Sequence, residues 1–151
     1  MSGREDIGRL LKEAAASMKS DLAGAVAKLE AAYALAGESG IPDDRAVVAE
    51  ELARAWARKK STARALYYAI KATKLSPEQR STWTTRAKTC ELAASRVRGA
   101  EKARRTRALY AAAAEAFQKA ASLTKDPEDK RWLRELAGDA ARQAKPPKPA
   151  T

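Results

Sequence analysis

Apolar residues recur at intervals of three and four along almost the whole chain, and most of them are alanine. Trp83, Ala87, Cys90, Ala94 and Val97 form one such set, and Ala113, Phe117, Ala120 and Leu123 form another. That interval marks a helix that buries one face. Aromatic residues make up only 5% of the chain and there are 7 glycines, so the composition disfavours a sheet protein with many turns. Ala, Leu, Lys, Arg, Glu and Gln enter helices at little cost. The expected fold is all-α, with a thin core, because an alanine stripe offers one methyl group per position.

Helix-start signals divide this pattern into about seven segments. Ser2 with Glu5 and Ser76 with Gln79 have the capping-box spacing. Pro77 after Ser76 and Pro127 after Asp126 fit the first helical position, where a missing N–H costs nothing. Ser20, Asp43 and Ser61 are further candidate caps. The predicted helices run over 3–18, 21–37, 43–59, 62–75, 77–97, 100–124 and 127–144. Short connections predict antiparallel hairpins within one domain, residues 1–144, and "AGESGIP" at 36–42 reads as the clearest loop. The prolines of "KPPKPAT" cannot continue a helix, so residues 145–151 are expected to form a disordered tail.

Charge is unevenly placed along the 151 residues. The net charge is +11, but residues 1–51 carry 6 basic and 10 acidic side chains, residues 52–107 carry 16 and 3, and residues 108–151 carry 8 and 6. A positive field in the middle third speeds encounter with anionic partners of any kind. No histidine, no glycine-rich phosphate loop and no acid pair in an apolar setting is present, which argues against an enzyme and against a cofactor. The lone Cys90 has no partner for an internal disulfide or a zinc site and falls on an apolar stripe, so it is expected to be a buried structural residue. No run of about eighteen apolar residues exists for membrane insertion, and "MSGREDIGRLLKE" lacks the apolar core of a secretory signal, so a cytoplasmic location is expected. Abundant Ala and Arg suit a GC-rich bacterial coding sequence.

Residues 46–79 resemble one 34-residue tetratricopeptide repeat: Leu52, Ala53, Trp56, Ala65, Ala72 and Pro77 stand at that family's spacings. Starting the next unit at Arg80 places Trp83 and Ala87 at its large and small first-helix positions. Ala113, Phe117 and Ala120 then resemble the second-helix set, but about fourteen residues late, or about four helical turns. Split equally, that insertion lengthens each arm of the hairpin by about two turns, with the bend near Gly99. Ala25, Leu29 and Ala32 give a weaker echo, and Leu133, Leu136 and Ala137 suit a terminal capping helix. Ala49 and Ala69 depart from the family, which usually has bulky residues there. The segment from Ala108 to Ala144 also resembles the second and third helices of microtubule-interacting-and-transport-like bundles. Either resemblance implies helical hairpins that bind other proteins.

Two basic groups are the candidate partner-binding residues. Arg54, Arg58, Lys59, Lys60, Arg64, Lys71 and Lys74 lie in a stretch with no acid between Leu52 and Pro77. The tetratricopeptide resemblance implies that Arg54, Arg58 and Lys88 line a concave groove, where arginines suit acidic residues or a terminal carboxylate. The family's lysine-asparagine carboxylate clamp is absent. The second group is "SRVRGAEKARRTR", residues 95–107, with Arg96, Arg98, Lys102, Arg104, Arg105 and Arg107. Its arginines favour bidentate contact with carboxylate or phosphate. No aromatic interleaves with them to stack on bases. The reading is an adaptor or scaffold that binds an acidic protein or peptide; the alternative is a nucleic-acid-associated protein whose same residues meet phosphates without sequence readout. Tyr67 and Tyr68 are adjacent and point about 100° apart, so one of them is expected to meet solvent or a partner.

Overall fold

A computed structural model describes residues 3–147, and among these every regular element is an α-helix. The helices are α1 (Gly3–Ser17), α2 (Leu22–Ser39), α3 (Pro42–Arg58), α4 (Thr62–Leu75), α5 (Arg80–Ser95), α6 (Lys102–Ser122) and α7 (Pro127–Ala144). The chain divides into two compact units, Met1–Pro77 and Glu78–Thr151. In the first, α1 packs on α2, α2 on α3 and α3 on α4; in the second, α6 packs on both α5 and α7. The fold is all-α, as the apolar spacing predicts, with each helix laid against its neighbour along the chain inside its unit.

Alanine builds most of the interior. Of the 29 buried apolar residues described, 20 are alanine, so helix axes approach closely and the few large side chains carry most of the buried volume. In the N-terminal unit these are Leu29, Val48 and Leu52, with Ile7 and Val26 at the edge and half-buried Tyr33, Trp56 and Tyr68 packed against them. In the C-terminal unit Phe117 and Leu133 fill the centre, flanked by Ala87, Ala116, Ala120, Ala121 and Ala137, with half-buried Trp83 and Leu136 against them. The small positions Ala53, Ala65 and Ala72 are all buried, and so are Ala49 and Ala69.

The caps differ from expectation in instructive ways. Asp21, not Ser20, caps α2, its carboxylate accepting from the Gly24 amide at 2.9 Å. Helix α2 runs on to Ser39 and stops where Gly40 turns left-handed at φ 71°. Pro42 opens α3 with Ile41 as its N-cap, so Asp43 lies inside the first turn. Its carboxylate accepts a hydrogen bond from Ser76 Oγ instead. Ser76 does not open α5: it is buried as the C-cap of α4, Pro77 and Glu78 form a turn, and α5 begins only at Arg80 with Gln79 as its N-cap. Ser61 precedes α4 without a side-chain cap bond. Asp126 and Pro127 open α7 as the sequence predicts, with Asp126 accepting from the Glu128 amide at 3.2 Å. Ser2 and residues 148–151 of the expected tail lie outside the described residues.

Residues 77–124 form a hairpin and not one continuous helix, because Gly99 at φ 86° and Glu101 at φ 61° both leave the right-handed helical region. The fourteen-residue insertion is not shared equally between its arms. Measured against α3–α4, and counting from the small residues Ala53, Ala65, Ala87 and Ala113, three residues extend the end of α5, three lengthen the connection and eight extend the start of α6. The alanine-rich sequence after Lys102 propagates a helix readily, whereas the Arg96–Glu101 segment, with its glycine, halts one.

Candidate functional site

The α5–α6 connection holds the second basic group. Arg96 is half-buried as the C-cap of α5, and Val97 is buried, so this loop is fastened to the hairpin at its first residues. Arg98, Lys102, Arg104 and Arg105 are exposed, while Arg107 is half-buried. The six residues are therefore not all held away from the core. Glu101 stands at the N-cap of α6 without a side-chain cap bond; its carboxylate takes the Arg104 guanidinium at 2.6 Å. Arg98, Lys102 and Arg105 make no ion pair among the described residues. The first turn of α6 holds no acid, so these cations stand beside the positive end of the helix dipole.

The first group is distributed over α3, α4 and the turn between them. Arg54 is exposed and pairs with Glu51 at 2.6 Å, which holds part of its charge; Arg58, one turn further on, is exposed with no ion pair among the described residues. Lys88 is exposed on α5 of the other unit. Nearby, burial pushes the Glu91 carboxyl up, with Lys88 opposing the shift and Asp139 adding to it.

A feature that no local sequence pattern reveals lies between these helices. Glu30 on α2 accepts hydrogen bonds from Tyr68 Oη at 2.8 and 2.9 Å and from the Trp56 indole Nε1 at 3.4 Å. One carboxylate thus ties α2 to α3 and α4. Burial, followed by the hydrogen bond from Tyr68 to Glu30, raises the Tyr68 phenol above its usual range. Burial also raises Tyr33, whose ring meets Tyr68 edge to face at 5.4 Å. The Arg45 guanidinium lies 4.0 Å from the Tyr33 ring centroid and crosses Gly37, where an added Cβ would come within 3.0 Å of it. Around this cluster cations cover aromatic faces: Arg64 at 4.5 Å and Lys59 at 5.4 Å over Trp56, and Lys71 at 5.6 Å over Tyr67. Tyr67 is 53% exposed while Tyr68 is half-buried, as their adjacency predicts.

Cys90 is buried, and burial, more than the opposing Arg86 charge, pushes its thiol up, away from the thiolate needed for nucleophilic attack. Among the described residues no group of three or more His, Cys, Asp or Glu side chains is placed to hold a metal ion. No helix among them is long and apolar enough to cross a membrane. No protein-family model matches the chain, and no curated protein is significantly similar to it.

Proposed function

We propose that this protein is a non-enzymatic adaptor of the tetratricopeptide-like kind that binds an acidic protein or peptide in the cytoplasm. The observation that carries this reading is the state of the cations. Arg58, Arg98, Lys102 and Arg105 stand exposed with no ion pair among the described residues, although acids are available elsewhere on the chain. Pairing arginine with a partner's carboxylates gives charge-assisted, often bidentate bonds, stronger than those of a neutral donor. The paired helices α3 and α4, with buried Ala53, Ala65 and Ala72, support the repeat resemblance. The three helices α5–α7 also suit the bundle resemblance drawn from the same segment.

A second reading is favoured by one observation, the interleaving of cations with aromatics around Trp56 and Tyr67. Such a surface also suits nucleic acid, through phosphate contact and stacking. Binding of acidic peptides, random duplex and random single strands across a salt series separates the two. The adaptor reading expects peptide binding and no nucleic-acid binding at about 50 mM salt. Tight nucleic-acid binding with a steep salt slope overturns it.

A further inference from the structure

Helix α4 presents an unusual outer face. Its buried side is Ala65, Ala69, Ala72 and Thr73. Opposite lie Arg64, Tyr67, Lys71 and Lys74 at intervals of three and four, preceded in the turn by Lys60. Arg64, Tyr67, Lys74 and Lys60 are exposed, Lys71 is half-buried, and none of the four cations forms an ion pair among the described residues. No acid occurs from Leu52 to Pro77, so nothing on this helix balances the row. From Arg64 to Lys74 the row is about 15 Å long, with Lys71 about 10.5 Å along the axis from Arg64 and about 4.5 Å from Lys74.

Resting on the adaptor reading, we propose that this face of α4 is the docking surface for an acidic α-helix of the partner protein. A helix carrying carboxylates at intervals of three and four has the same rise as α4, so laid alongside it sets carboxylates opposite Arg64, Lys71 and Lys74 and one position opposite Tyr67. An extended chain advances about 3.3 Å per residue and has no such common period. Tyr67, in the middle of the row with its ring edge-on to Tyr68 at 5.1 Å, offers the apolar centre that an ion-paired rim surrounds in a stable interface. The Glu30 bonds to Tyr68 and Trp56 fix the aromatic layer beneath, so the surface is formed before the partner arrives.

The test uses a fluorescein-labelled helical peptide of about 20 residues, with glutamates at intervals of three and four on one face. A second peptide has the same residues reordered so that the glutamates form one block. Fluorescence anisotropy with the full chain is expected to show the patterned peptide binding at least about tenfold tighter than the block peptide. Arg64→Glu with Lys71→Glu is expected to weaken it by at least about tenfold, and Tyr67→Ser by about threefold. Arg131→Glu with Arg134→Glu, a charge-matched change at exposed positions of α7, is expected to leave it within about twofold, and Arg98→Glu with Arg105→Glu is expected to weaken it less than the α4 pair does. Equal binding of the two peptides, or loss through the Arg98 and Arg105 pair alone, overturns the α4 proposal and leaves the adaptor reading standing. Displacement of the patterned peptide by oligothymidine at equal concentration overturns both.

Discussion

The hairpins α3–α4 and α5–α6 are built from the same positional scheme and use it differently. In the first, a three-residue connection with Lys60 at φ 65° joins helices of 17 and 14 residues, and its cations continue along the outer face of α4. In the second, a six-residue connection with two left-handed residues joins helices of 16 and 21 residues, and its exposed cations gather at the turn. The short hairpin therefore displays charge as a straight row and the long one as a cluster. A row reads the spacing of its partner's charges, whereas a cluster responds mainly to their number.

Replacing the bulk at each core tests that contrast most severely. The C-terminal unit depends on one aromatic centre, so Phe117→Ala is expected to cost about 4 kcal/mol, against about 3 kcal/mol for Leu29→Ala in the N-terminal unit, where Val48 and Leu52 share the load. Urea denaturation measures both. If Leu29→Ala proves the more costly, bulk is not concentrated in the way described.

The polar tie comes next. Glu30→Ala leaves the Trp56 indole and the Tyr68 hydroxyl without their acceptor and is expected to cost about 2 kcal/mol, with a change in tryptophan emission. The same cluster gives a pH dependence. Tyr68 and Tyr33 ionise less readily in the fold than at their ordinary 10.0, so their stabilising contribution is intact below that pH and is lost as pH rises above it. Thermal melts of Tyr68→Phe are expected to show a smaller loss above pH 10 than the parent.

The turns differ more subtly. Gly99→Ala places a side chain at φ 86° and is expected to cost about 1 kcal/mol, whereas Lys60→Gly relieves a left-handed lysine and is expected to gain a few tenths of a kcal/mol. Equal effects at the two sites would mean that the connections are equally strained. The smallest effect concerns Cys90, whose buried thiol is expected to react with an aromatic disulfide reagent many times more slowly in the native protein than in urea.

Much of this organisation was legible beforehand because it is local. Helix existence follows from three-four spacing, and the opening of α7 follows from Asp126 and Pro127. The buried alanines at 53, 65 and 72 follow from the repeat spacing. What local pattern does not reveal depends on residues far apart in the chain. Ser76 has every local mark of a cap, but Asp43 claims its hydroxyl across 33 positions. Repeat spacing shows that fourteen residues are inserted, but their allocation depends on where right-handed backbone stops, which Gly99 and Glu101 decide. Glu30 could not be singled out, since its partners stand 26 and 38 positions away and a glutamate in a helix is unremarkable by itself. The three-four spacing of Arg64, Tyr67, Lys71 and Lys74 within a predicted helix puts them on one face, and the burial of Ala65, Ala69 and Ala72 opposite shows that this face is the exposed one.

The alanine interior also limits how such a protein changes over generations. A seam made of single methyl groups has no slack for a larger neighbour, since added methylenes force side chains off their rotamers and shift the backbone. Growth in bulk is therefore closed to it, but growth in length is not: eight more residues at the start of α6 extend a helix without disturbing one buried contact beyond Ala113. A lineage built on this scaffold would acquire new reach mainly by elongating its rods, with a smaller change at the turn that joins them.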